Sequence, residues 1–299
     1  MNKMNRLLIP FIVLINVTLI RVCKAQNAEN SVLWEISGDG LEKSSYLFGI
    51  INFLPKKDFS IPKKVKNVMD DCEVFATKAL ISRRNQKEFN QAARISNDGW
   101  INDYLTDDEL NRLRLLMLRD LGVSENDYHF NYSRLQPIIL VTATTILYLG
   151  QKNLFFVEQE LRQIAQKSHL DLVGLGTIEE EIAAFDNFPI PDQVTALNYT
   201  IDNFDEHIKG YNNLVKNYVE DQDLAKIREE ILKATNRSEV FQKVYYDDRQ
   251  KVWTETIDTL VHQNPTFIAV GAAHLPGDQG LLQLLRQEGF TLNPIDAFE

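Results

Sequence analysis

Apolar residues recur along this chain with two periods, one typical of strands and one typical of helices. Short apolar runs of strand length lie at residues 32–38, 45–51, 74–76, 170–175, 267–270 and 290–294. Longer stretches with helical spacing lie at residues 62–70, 84–150, 154–168, 191–219, 224–234, 241–261 and 281–287. The pattern predicts an α/β fold with a central mixed sheet, whose strands come mainly from the two chain ends, and a large helical middle region.

Local signals fix several element boundaries. Two segments with a threonine followed three residues later by glutamate, Thr106–Glu109 and Thr177–Glu180, have the capping-box pattern of a helix start. Gly38-Asp39-Gly40 separates the first two strand segments and predicts a hairpin. No linker rich in glycine, serine or proline divides residues 26–299, so we expect a single domain.

One arrangement occurs twice, once near each end of the chain. An apolar run stops at Gly49 or Gly271, and a polar residue, Asn52 or His274, follows three positions later. Glycine permits a sharp turn at a strand end, and the residue beyond it can then enter the crevice where open α/β sheets bind ligands. We therefore expect Asn52 and His274 to follow neighbouring strands and to face one cleft.

His274 is the stronger candidate of the two, because imidazole serves both as a metal ligand and as an acid–base group. The alternative is a histidine that is hydrogen-bonded to backbone at a turn. Asn52 can offer a carbonyl oxygen to a hard cation but cannot act as a base, and its alternative role is in a turn.

The remaining polar residues carry weaker signals. Arg249 could clamp a carboxylate or phosphate, or could form a surface ion pair. The acidic run Glu179-Glu180-Glu181 is interpreted as a solvated helix start. Cys72 is interpreted as a buried thiol. The other histidines are interpreted as surface or packing residues without a partner at metal-ligand spacing: His129, His169, His207 and His262.

Charge excludes two classes of partner. The chain has 42 acidic and 32 basic residues, and without residues 1–25 it has 28 basic residues and a net charge of −14. A nucleic-acid backbone or an anionic membrane surface is therefore not an expected partner.

The N-terminus has the pattern of a secretory signal. Lys3 and Arg6 precede the mostly apolar stretch Leu7–Ile20, which at 14 residues is short for a membrane span. Cys23-Lys24-Ala25 is a plausible cleavage site before Gln26, which predicts a periplasmic or secreted protein without a stable membrane span. The alternative is an uncleaved anchor. After cleavage Cys72 is the single cysteine, so an intrachain disulfide is excluded.

Several segments, in order along the chain, resemble the TraB/GumN family. They are residues 31–38, 45–49, 173–180, 248–253 and 267–277. This family is similar to the Tiki proteins, which are metal-dependent proteases that use manganese or cobalt. The resemblance implies two Gly-x-x-His motifs, glutamates and an arginine in a metal-dependent hydrolase site.

Position by position, this chain departs from the family pattern. His274 matches the second motif histidine, and Arg249 matches the arginine. Asn52 stands in place of the first histidine, and Thr77 and Gly176 stand where the family has glutamates. A divalent metal site needs three or more suitable protein ligands.

Three hypotheses follow. The first is a catalytically degenerate family member, a pseudoenzyme, that keeps a cleft for a small-molecule or peptide ligand. The second is an active, peptidase-like hydrolase whose manganese or cobalt is held by His274 and Asn52, with Glu35 or Asp58 as substitute ligands. The third is a structural or partner-binding role unrelated to the cleft.

The signal pattern makes a prediction about export. We expect a mature protein that begins near Gln26, because signal peptidases cleave after small residues that follow a short apolar stretch. N-terminal sequencing of the protein from fractionated cells tests this, and an intact Met1 in the cytosolic fraction would contradict it.

Overall fold

The fold is taken from a computed structural model that describes residues 30–82, 84–233, 235 and 237–299. The predicted signal segment and its cleavage site before Gln26 lie outside the described residues. Within the described ranges, no helix combines the length and apolar character needed to cross a bilayer.

The architecture is mixed α/β, as predicted. A six-stranded sheet has the order β6-β4-β7-β2-β1-β8, and β3 and β5 form a separate antiparallel pair. The strands are β1 Leu33–Gly38, β2 Ser45–Ile50, β3 Phe53–Pro55, β4 Val74–Thr77, β5 Leu154–Phe156, β6 Asp171–Gly174, β7 Thr266–Gly271 and β8 Phe290–Ile295.

Strand direction determines where a site can form. β6, β4, β7 and β2 run parallel to one another, whereas β1 pairs antiparallel with both β2 and β8. The register places Ile50 opposite Gly271, and Thr77 opposite both Gly174 and Ala269. The carboxyl ends of four strands therefore meet at one edge of the sheet, where α/β proteins commonly bind ligands.

Helices cover the sheet and fill the middle of the chain. They are α1 Lys63–Asp70, α2 Gln86–Ala92, α3 Asp107–Arg114, α4 Glu125–Asp127, α5 Pro137–Leu149, α6 Val157–Lys167, α7 Ile178–Asp186, α8 Ile190–Asp202, α9 Phe204–Lys216, α10 Leu224–Lys233, α11 Glu239–Phe241, α12 Asp248–Gln263 and α13 Leu281–Gln287. Both predicted capping boxes form: Thr106 caps α3 with Glu109, and Thr177 caps α7 with Glu180.

Some boundaries differ from those expected from periodicity. The segment predicted as one helix from 154 begins with strand β5, because Leu154–Phe156 pairs with β3. The long helix predicted over 191–219 is interrupted at Asn203, which separates α8 from α9. The segment predicted as one helix over 241–261 begins with a π-helical turn, Gln242–Asp247, before α12.

The main hydrophobic core lies around the sheet. Phe48, Phe75 and Phe267 are fully buried on adjacent strands, and the rings of Phe75 and Phe267 stack with centroids 6.2 Å apart. A second cluster, which includes Leu113 and Leu140, packs the helices of the middle region. Cys72 is a buried free thiol, as predicted, and burial raises its pKa to about 12.

His262 joins the β1–β2 turn to the last turn of α12. Its Nε2 lies 3.0 Å from the Asp39 carbonyl oxygen and its Nδ1 lies 2.9 Å from that of Asp258. Both nitrogens can donate only in the imidazolium form. These carbonyl contacts, with the Asp258 and Asp39 carboxylates, raise the pKa of His262. The prediction that His262 has no partner at metal-ligand spacing was wrong, because Asp39 and Asp258 offer ligand atoms within 4.8 Å. Asp258, four residues earlier on α12, was the local part of that signal.

This contact predicts a pH dependence of stability. A raised native pKa means that His262 stabilises the fold fully below its unfolded pKa of about 6.5, and that this contribution is lost as pH rises through the native pKa. Urea unfolding between about pH 6 and 9 should show the loss, and His262→Gln should remove it.

His169→Asn is the matched control, because His169 has a left-handed φ of 60°, which asparagine tolerates. If the free energy of unfolding changes with pH in the same way for wild type and His262→Gln over that range, the imidazolium contact is contradicted.

Candidate functional site

His274 lies at the centre of the edge formed by the parallel strands. A single helical turn, Ala272–His274, follows β7 and turns the imidazole into the protein, where it is only 4% exposed. The position of a Cβ on Gly271 would be 3.3 Å from the His274 ring, so the glycine leaves room for this turn. The ring packs against Trp253 and Tyr246, each with centroids 4.7 Å away.

Hydrogen bonding fixes the tautomer of His274. Gln250 donates through its side-chain nitrogen to the carbonyl of Gln279, which leaves its oxygen as the partner of His274 Nδ1 at 3.2 Å. His274 Nδ1 is then the protonated nitrogen, and Nε2 keeps its lone pair. Burial, followed by the positive charges of Arg249, Lys78 and Arg228, holds the pKa of His274 well below its usual value. The imidazole is therefore neutral at physiological pH.

Arg249 reaches the same place from the first turn of α12. Its guanidinium carbon lies 4.6 Å from the ring centroid of Trp253 and 5.0 Å from that of Tyr245. Burial lowers the pKa of Arg249 to about 10, so the side chain stays charged at neutral pH. The structure thus brings His274 and Arg249 into one cluster, with Trp253 in contact with both.

Glu181 completes the cluster, and its interpretation as part of a solvated helix start was wrong. Its side chain is 2% exposed, whereas Glu179 and Glu180 are exposed on the first turn of α7. Arg249 Nη2 contacts one carboxylate oxygen of Glu181, and Lys78 Nζ lies 3.2 Å from the other. The carboxylate therefore links the end of β4, α7 and α12.

Thr77 and Gly176 stand beside this cluster, at two of the positions where the resemblance implies glutamates. Thr77 is fully buried at the end of β4. Gly176 does not have a left-handed φ, but its Cβ would lie 2.5 Å from Glu180 Oε2 and 3.3 Å from Trp253 Nε1. A glutamate at 176 would require both side chains to move.

The other candidate ligands make no recorded hydrogen bond or ion pair with this cluster in the described part of the chain. Asn52 follows β2, which is paired with β7 as predicted. Its side chain is exposed, and its backbone carbonyl accepts a hydrogen bond from Val157 N at 3.2 Å. Within the described ranges, no hydrogen bond or ion pair joins Asn52 to His274. Glu35 pairs with Tyr46 near the amino end of β2, and Asp58 is exposed after β3.

The residues at His274 do not fit a divalent metal. His274 Nε2 is one suitable donor, but the nearby carboxylate of Glu181 is already neutralised by Arg249 and Lys78. A cation would also be repelled by the charges that surround the imidazole. Over the described residues, the one group of three potential ligands with suitable spacing is Asp39, Asp258 and His262, at the other end of α12.

Comparison with known proteins agrees with the sequence resemblance. The model of the TraB/PrgY/gumN family matches residues 32–294, which is nearly the whole chain, and the protein belongs to this family. No curated protein and no solved structure matches the chain significantly.

The buried pair predicts that replacing the Glu181 carboxylate by an amide lowers the stability of the fold strongly. Glu181→Gln removes the buried counter-charge of Arg249 and Lys78, so we expect a loss of about 3–5 kcal/mol in unfolding free energy. Urea denaturation provides the measurement, and Glu179→Gln on the exposed face of the same turn is the control. A loss below about 1 kcal/mol, the range of surface pairs, would contradict the buried network.

Proposed function

We propose that this chain is an exported, non-catalytic member of the TraB/PrgY/gumN family that binds a ligand at the carboxyl ends of its parallel strands. The observation that carries the proposal is the set of charges around His274. Arg249 and Lys78 pair with Glu181 there, at the place where the resemblance implies a metal.

The chemistry of hydrolysis supports the same conclusion. A hydrolase of this type needs a metal-activated water or a general base with a suitable pKa. His274 is neutral, but its Nδ1 is bonded to Gln250 and its ring is enclosed by aromatic side chains. Glu181 is paired with two cations, which favours an unreactive carboxylate over a base.

The active-hydrolase hypothesis receives no comparable support. Its substitute ligands were Asn52 with Glu35 or Asp58, and over the described residues none of these side chains forms a hydrogen bond or ion pair with His274. Export rests on the N-terminal sequence pattern alone, and the ligand class expected for the cleft is a small molecule or a peptide.

Metal addition tests the proposal. We expect 1 mM manganese or cobalt to shift the Tm of the His262→Gln variant by less than about 1 °C, since a ligand stabilises only above its dissociation constant. That variant removes the Asp39–Asp258–His262 group as a competing metal site. Peptidase and esterase assays with either metal should stay at the level of a buffer blank.

A matched variant makes the assay decisive. Metal-dependent cleavage that is lost in His274→Ala and kept in His262→Gln would contradict the proposal and support the active-hydrolase hypothesis. Cleavage that persists in both variants would point to a contaminating enzyme, and repurification that removes it would support the proposal.

A further inference from the structure

Three buried side chains beside His274 have polar atoms without hydrogen-bond partners in the described part of the chain, namely Thr77, Arg249 and Glu181. The two oxygens of Glu181 are ion-paired with Arg249 and Lys78, which leaves Thr77 and Arg249 to be explained. Thr77 Oγ1 has no hydrogen-bond partner among the described residues, although the residue is fully buried. Arg249 is 9% exposed and contacts Glu181 through Nη2, while its Nε and Nη1 have none. Buried polar groups are nearly always satisfied, by protein, water or an ion, so two such side chains at one site require an explanation.

Strand geometry places both near the same point. Side chains alternate between the two faces of a sheet, and residues paired across parallel strands share a face. Thr77 is paired with Ala269, and Gly271 is two residues further along the same strand, so all three share one face. The ring of His274 packs at Gly271 on that face, with Trp253 and Arg249 above it.

The sign of the local charge indicates the kind of ligand. Lys78, Arg249 and Arg228 all act on His274, and Arg228 Nη1 also donates to the neighbouring Ala273 carbonyl at 2.6 Å. Two carboxylates, Glu181 and the exposed Glu180, oppose these three cations and leave one positive charge in excess. The unpartnered groups of Arg249 can only donate hydrogen bonds, and the Thr77 hydroxyl can also donate. The missing partner is therefore a hydrogen-bond acceptor.

We infer that the ligand of this site carries an oxyanion group, a carboxylate or a phosphate, which Arg249 and Thr77 bind by hydrogen bonds. Arginine presents a planar fork of donors that matches the oxygens of either group. Lys78 and Gly176 are only half-buried, so they form the rim through which the group enters. This inference rests on the proposed function and names the ligand class of the same site.

Anion titration tests the inference. The Tm of the purified full-length protein is followed against inorganic phosphate and, separately, sodium acetate, up to about 10 mM, with chloride holding ionic strength constant. At least one oxyanion should raise the Tm in a saturable way, and the more effective one distinguishes phosphate from carboxylate. Low concentrations matter because phosphate also stabilises proteins by exclusion from their surfaces.

Thr77→Val removes the buried hydroxyl without changing the side-chain shape, and should weaken the apparent affinity about 10-fold or more. Thr200→Val is the matched control, since Thr200 is also fully buried with an unpartnered hydroxyl but lies on α8. Its response to the anion should equal that of wild type.

Arg249→Gln should abolish the response. Arg134→Gln is its control, because Arg134 also lies over a tryptophan ring and pairs with an acid. If Arg249→Gln does not fold, Thr77→Val still decides the question.

The inference is wrong if neither oxyanion exceeds chloride, or if Thr77→Val responds like wild type. The anion experiment tests only this inference. The proposed function is tested separately, because metal-dependent hydrolysis that requires His274 would overturn it whatever the anion titration shows.

Discussion

The ion pair between Glu181 and Arg249 holds three elements over the carboxyl ends of the parallel strands. Glu181 lies on the first turn of α7 and Arg249 on that of α12, and Lys78 follows β4 directly. Taking such charges out of water is costly, so the pair is stable only while all its members are present. The positions of Trp253 and Tyr245 against Arg249, and the enclosure of His274, depend on this arrangement.

The same pair explains how a family site can persist without the family's ligand set. Where the resemblance implies a metal between histidines and glutamates, this chain has a guanidinium and an ammonium group against one carboxylate. Gly176 leaves space for the Glu180 carboxylate and for the indole of Trp253, which a larger residue at 176 would displace. The positive charges of Arg249, Lys78 and Arg228 around His274 therefore favour an anion over a cation at this place.

Much of the fold followed from local sequence signals. Apolar periods located the sheet strands, and both capping boxes formed because their hydrogen bonds need only residues three positions apart. The repeated Gly-x-x-polar arrangement correctly placed Asn52 and His274 after adjacent strands. β5 was missed because Leu154–Phe156 forms a strand only through pairing with β3, over a long sequence separation.

The charged partners were harder to foresee. Glu181 looked solvated among three acids, although Ile178 and Ala184, three positions before and after it on α7, are also buried. The contact of His262 depends on the distant Asp39 turn, which no local pattern reveals.

The central claim is that the Glu181–Arg249 pair, rather than a metal, occupies the site at His274. Anomalous diffraction from crystals grown with manganese tests this claim most directly. We predict no anomalous peak at His274 Nε2 and an intact Glu181–Arg249 pair; a peak there with Arg249 displaced would contradict it.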